Sequence, residues 1–223
     1  PNDFSKENPP IMSGLIEVPG DWNGFEVNGD KISGDGYATY RLRILLGETS
    51  ERMAFKFLDM AVAFSVYVNG KYLTSAGTPG KTTYTTIPRF HPHVVDFKPD
   101  SDRLDMIIQV SNFHHRKGGA WEAIHLGLAD DIRALRQNAL YFNFFLIGSI
   151  LIMGIYHLVF FALRKNEKCA LYFGIFCFLI AARSLLTGER YIIDRFPTFN
   201  WLVLTKIAYL TFYLGVPAFA GYA

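Results

Sequence analysis

Cysteine is nearly absent from this chain. Cys169 and Cys177 are its two cysteines, and residues 1–137 hold none. That first part therefore has no disulfide to rely on. On one helix the two cysteines would stand about 12 Å apart at ~1.5 Å per residue, too far for a bridge. The count excludes neither an oxidising nor a reducing compartment. Charge is also scarce: 19% of residues are charged, whereas 50% are hydrophobic. No basic run is interleaved with aromatics, so no groove for nucleic-acid phosphates is indicated. No signal peptide is visible. The chain opens on Pro1 and reads as an excerpt whose natural N-terminus is missing.

The average hides two populations. Residues 1–137 carry 15 Lys/Arg against 17 Asp/Glu, a net charge of −2, and residues 138–223 carry 7 against 3, a net charge of +4. From 139 to 163 the chain reads ALYFNFFLIGSILIMGIYHLVFFAL, with no formal charge. About twenty such residues cross a bilayer core. Further apolar runs follow at 169–187 and 201–223, so three spans are predicted. The 164–168 loop, RKNEK, carries three basic residues and one acid and is assigned to the cytoplasm. The 188–200 loop is balanced and faces outward, which places residues 1–137 outside. Arg133 and Arg136 lie on that outer side and run against the assignment. Tyr141, Tyr191 and Trp201 suit interfacial anchors. Arg183 and Lys206 sit about one turn from helix ends, where snorkelling is the simpler reading. His157 is read as a bundle-facing hydrogen-bonding group.

Residues 11–130 have strand periodicity instead. YATYRLRILL at 37–46 alternates Ala38, Tyr40, Leu42 and Ile44 with Tyr37, Thr39, Arg41 and Arg43. AFSVYVNGKYL at 63–73 puts Phe64, Val66 and Val68 on one face and follows them with Asn69-Gly70, a two-residue hairpin signal. RLDMIIQVSN at 103–112 puts Leu104, Met106, Ile108 and Val110 on one face. Clusters of Gly, Asp, Asn and Pro separate these runs. No stretch before residue 131 reads as a long amphipathic helix. The pattern predicts an all-β sandwich or barrel with a core of its own. Residues 1–10 read as a linker, 11–130 as the β domain, and 131–223 as the membrane region. Asp130 and Asp131 suit the start of a helix running into the first span.

The string VPGDWNG…GYATYRLRI…VYVNGKYLTSAGTPG…LDMIIQVSNF resembles the galactose-binding-like jelly roll, notably the sugar-binding domain of family 2 glycosidases. NFHHRKGGAWEAIHLG, GIYHLVFFALRK, RSLLTGER and FPTFNW are similar to the bacterial seven-transmembrane receptors with diverse intracellular signalling modules. That resemblance implies an extracytoplasmic jelly-roll sensor joined to seven helices, three of them here, in a bacterial inner membrane. It implies a small ligand, with carbohydrate as one class, and a cytoplasmic cyclase, kinase or phosphatase as output. The part in hand is then no enzyme and takes no cofactor. A homodimer is the candidate assembly. A rival reading is a membrane-tethered carbohydrate-binding module, or the accessory domain of a membrane-bound glycosidase.

The segment SNFHHRKGGAW at 111–121 concentrates polar chemistry just before the membrane. His91, His93, His114 and His115 are the metal candidates. Adjacent His114 and His115 point apart on a strand, and neither cysteine nor a well-spaced acid joins them, so turn or surface roles are favoured. Glu122 and Asp21 are carboxylates beside tryptophans, yet the domain resembled is the non-catalytic one. Sugar recognition uses aromatic faces and planar polar groups. Trp22, Arg41, Asn112, His114, His115, Arg116 and Trp121 supply those groups and form the candidate ligand site. Trp22 also suits the core, Arg41 a solvated strand, Asn112 a strand-end cap, and Asn69 the positive φ of its hairpin. The 112–121 loop is expected either to hold a ligand or to report one to the helices.

Overall fold

The computed structural model describes residues 14–27, 29–47 and 51–222. The linker expected over 1–10, residues 11–13 and residue 223 of the third span lie outside them. The chain divides into two compact units, Pro1–Arg133 and Ala134–Ala223.

The first unit is antiparallel throughout. Its strands are β1 Gly20–Asp21, β2 Glu26–Val27, β3 Asp30–Lys31, β4 Gly36–Leu45, β5 Met53–Phe57, β6 Ala63–Val68, β7 Lys71–Ala76, β8 His93–Phe97, β9 Arg103–Asn112, β10 Gly119–Ala120 and β11 His125–Leu128. Among the described residues they form a four-stranded sheet, β4-β9-β6-β7, and a three-stranded sheet, β11-β5-β8. Two short pairs, β1-β10 and β2-β3, complete the set. The sheets are not closed on one another, so the architecture established is one of open antiparallel sheets.

Strand β9 is paired on both edges. Val110 faces Ala38 of β4 and Phe64 of β6, and Ile108 faces Tyr40 and Val66. The period of two then sends Leu104, Met106, Ile108 and Val110 to one side, all buried. Phe55 and Phe57 of β5 come from the other sheet into the same core. The Phe57 and Phe64 rings meet across it with centroids 5.9 Å apart, and Phe55 stacks on Phe97 at 4.9 Å. Fully burying one such side chain stabilises by roughly 1.5–3 kcal/mol. Asn69 and Gly70 have φ of 48° and 69°, the two positive values that a primed hairpin turn requires. The Asn69 side chain also accepts a hydrogen bond from Asp105 N and donates to Asp100 Oδ1, tying the hairpin to β9.

One expectation about faces fails. Leu42 is 49% exposed, although its alternation groups it with the core. It stands on β4, an edge strand paired on one side only.

The membrane region contains α1 Ala129–Leu163, α2 Lys168–Leu186 and α4 Trp201–Tyr222, all long and apolar enough to cross a membrane. A short helix, α3 Tyr191–Arg195, sits in the connection between α2 and α4 and carries no sequence signal that predicted it. The first helix starts ten residues before its apolar run, with Asp130 and Asp131 in its first turn. Helices α1 and α2 approach closely at Gly174, where an added Cβ would stand 2.7 Å from Leu158 Cδ2. His157 Nδ1 donates to the Met153 carbonyl, 2.8 Å away, and its ring meets Phe173 of α2 at 4.5 Å.

The double pairing of β9 predicts a sharp asymmetry. Met106→Ala destabilises the protein by about 2–5 kcal/mol, whereas Leu42→Ala costs less than about 1 kcal/mol. Chemical denaturation of the two variants checks it.

Candidate functional site

The 112–121 loop is built by its backbone. Asn112, fully buried at the end of β9, donates through Nδ2 to the carbonyls of Gly34 and His115 and accepts at Oδ1 from His115 N. Trp22, 3% exposed, donates from Nε1 to the same Gly34 carbonyl at 3.1 Å. Asn23 clasps the loop from outside. Its Nδ2 donates to Arg116 O and its Oδ1 accepts from Gly118 N, at 2.9 and 3.0 Å. Trp22 N donates to Gly118 O at 2.9 Å, and Lys117 Nζ pairs with Asp21 Oδ2 at 2.6 Å. Two glycines make this approach possible. A Cβ on Gly118 would fall 2.2 Å from Trp22 Cε2, and one on Gly34 would fall 2.2 Å from Arg116 O.

This arrangement sorts the candidate residues. Trp22 and Asn112 are scaffold: they are buried, and their polar atoms are used on the loop itself. His115 sits half-buried with its ring 4.9 Å from that of Trp121. Trp121 is likewise half-buried, and its Nε1 is shielded with no acceptor in reach. His114 and Arg116 are exposed on the loop surface. Arg41 is not part of this group. It lies on β4 five residues from Gly36, the partner of Asn112, which is about 17 Å along the strand at ~3.3 Å per residue. Its guanidinium forms a bidentate pair with Asp105, Nε–Oδ1 2.9 Å and Nη2–Oδ2 2.5 Å. That hydrogen bond holds the Asp105 carboxyl below the usual carboxylate range.

The histidine pair behaves differently from a chelate. His93 Nε2 lies 2.6 Å from Thr74 Oγ1, and the His91 and His93 rings stack at 4.6 Å. His93 also packs beside Phe57 and Phe64 at the core edge. Among the described residues no three His, Cys, Asp or Glu side chains come together to hold a metal. Burial pushes the Tyr40 phenol up to about 12.

A second polar cluster, absent from the sequence reading, lies where α1 begins. Asp96 of β8 pairs with Arg52 at 3.1 Å and with Arg133 on α1. Arg133 also bonds Asp130, and Ala129 N donates to Arg52 O at 3.0 Å. Ile132 packs with Ala54 and Val94 beneath them. Strand β11 thus passes into α1 with no connecting residue, and the first helical turn is held by the three-stranded sheet. One turn on, Arg136 reaches Asp194 at 2.5 Å and Glu189 at 3.4 Å. The signal for Asp96 was faint: one acid among apolar residues in HVVDF.

An antiparallel β unit followed by three apolar helices defines a multi-pass membrane protein. Residues 139–223 match the family described as 7TM diverse intracellular signalling. No match was found among curated proteins. Part of the chain is similar to solved glycosidases, two of the following described as family 2 enzymes. The β-galacturonidase of Eisenbergiella tayi, bound to galacturonate, is 18% identical over 50% of this chain and 20% of its own, with a TM-score of 0.38. A family 2 member from Bacteroides cellulosilyticus is 14% identical over 51% and 16%, TM-score 0.39. A β-glucuronidase from an uncultured Clostridium is 17% identical over 49% and 18%, TM-score 0.39. The chain spans about a fifth of those enzymes' length.

The clasp around Gly118 has a measurable consequence. Gly118→Ala forces Trp22 to move and destabilises by about 1–3 kcal/mol, read by thermal or urea unfolding. The Arg41–Asp105 pair adds a pH term. Asp105 is depressed in the folded state, so its contribution is present above the ordinary value of ~3.9 and is lost as pH falls through the folded value. Asp105→Asn lowers stability at neutral pH, where the pair contributes, and flattens the acid limb below about pH 4, where the contribution is already lost, as urea midpoints across pH will report.

Proposed function

We propose that this chain is the sensory part of a bacterial transmembrane signalling receptor. An extracytoplasmic β domain of jelly-roll type binds a small ligand and passes its state along α1 to the helices and a cytoplasmic output module. The observation that carries the reading is the unbroken passage from β11 into α1, with Asp96 holding the first turn through Arg133. A domain built merely to retain polysaccharide has no need of such a joint. The family match over the membrane region supports signalling as its purpose.

The orientation rests on loop charge. The RKNEK loop carries the basic excess, which favours the cytoplasm. Arg133 and Arg136, which oppose that orientation by count, are each neutralised by acids: Asp96 and Asp130, and Glu189 and Asp194. The N-terminal domain is therefore assigned to the periplasmic side of an inner membrane.

For the ligand we assign the exposed face of the 112–121 loop: His114 and Arg116 as polar contacts, and the His115–Trp121 ring pair as the wall. Trp22 and Asn112 support it from behind. Carbohydrate is the first ligand class to test, since aromatic faces and planar donors are the groups that read sugar rings. A thermal-shift screen of the purified chain against neutral sugars, uronic acids and small organic acids checks the reading. Binding to the folded state raises stability as RT ln(1 + [L]/Kd), about 2.7 kcal/mol at a hundredfold excess. Trp121→Ala and His114→Ala are each expected to weaken the active compound at least tenfold. A compound whose affinity survives both variants places the pocket elsewhere, and a screen with no shift removes the small-ligand reading.

A further inference from the structure

Arg183 belongs to the last turn of α2, inside an apolar span. Snorkelling to water would be the ordinary outcome for an arginine one turn from a helix end. The structure shows another arrangement. Its Nη1 donates to the Ala208 carbonyl of α4 at 2.6 Å, and its Cζ stands 5.4 Å from the centre of the Phe212 ring. The side chain is turned across to the neighbouring helix. Thr211, 6% exposed, donates to the same Ala208 carbonyl at 2.9 Å and so helps fix the acceptor.

This leaves a charge without a counter-charge. A guanidinium offers five N–H donors, and the protein takes one of Arg183's. Among the described residues no carboxylate lies within ion-pair reach of it. The acids of the α2–α4 connection, Glu189 and Asp194, are held by Arg136 instead. An unpaired cation at a half-buried, apolar position is costly unless an anion meets it. The remaining donors form a planar fork of the kind that fits two oxygens of a phosphate. The level is right for a headgroup. Arg183 is three residues from the end of α2, or about 5 Å at ~1.5 Å per residue.

We propose that Arg183, braced on the Ala208 carbonyl and Phe212, is a binding site for the phosphate of an anionic membrane phospholipid. The site is separate from the ligand loop and does not depend on the sensor reading.

The test uses the whole chain in a maltoside detergent, which has no phosphate, with thermal unfolding followed as phosphatidylglycerol is added. The lipid is expected to raise the unfolding temperature. Diacylglycerol, which lacks the phosphate, and inorganic phosphate, which lacks the chains, are expected not to. Arg183→Gln is expected to move the half-saturating lipid concentration at least tenfold upward, and Arg195→Gln, on α3, to leave it in place. If Arg183→Gln does not fold, Arg183→Lys decides: the ammonium keeps the charge and loses the fork, so the midpoint rises. Three results overturn the proposal. One is a midpoint unchanged in the Arg183 variants, and another is no lipid shift in the unsubstituted chain. The third is an equal shift from diacylglycerol or from free phosphate.

Discussion

The structure of the β unit depends on β9 being hydrogen-bonded along both edges. A strand paired with β4 on one side and β6 on the other has its register fixed twice. A one-residue slip would turn Leu104, Met106, Ile108 and Val110 out of the core and bring Asp105 and Gln109 in. With the register fixed, the strand ends at Asn112 opposite Gly36, close to the Gly34 carbonyl. The amide of Asn112 takes that carbonyl, the loop turns around it, and Trp22 closes the end of the core against the same acceptor. One ladder therefore determines both where the core lies and where the 112–121 loop is placed.

Arginines do the corresponding work around the helices, each with a different counterpart. Arg133 meets Asp96 and joins the first turn of α1 to the sheet that precedes it. Arg136 meets Asp194 and Glu189 and holds the connection between α2 and α4. Arg183 meets a backbone carbonyl and an aromatic face, which satisfy its geometry without cancelling its charge. Near an apolar medium that distinction matters, because a hydrogen bond to a carbonyl recovers only part of what a desolvated cation loses. Two of these arginines meet carboxylates that balance their charge, and the third does not.

Much of this was legible before any coordinates. Alternation identified the buried face of β9, and Asn69-Gly70 announced a hairpin whose φ values are both positive. The apolar runs located three helices, and Asp130 and Asp131 marked a helix start. The site was less legible. Trp22, Asn112 and the exposed loop residues all carry groups suited to a ligand, and residue type does not tell scaffold from surface. Asn23, Gly34 and Gly118 hold the loop in place, yet each reads as an ordinary turn residue. Asp96 and Arg133 are 37 positions apart and meet only because β8 and β5 pair beside the start of α1.

Residue order alone settles period, polarity and turn chemistry: which segments are strands, which are long and apolar enough to cross a membrane, and where the chain reverses. These are local properties, set by neighbours within a few residues. The tertiary structure alone decided partnership. It gave Trp22 and Asn112 a shared acceptor, removed Arg41 to a pair with Asp105, exposed Leu42 on an edge strand, and turned Arg183 from water toward α4. Such outcomes depend on which distant backbone atoms come within 3 Å of a side chain, and hydrogen bonding at that range reports the fold and not the residue.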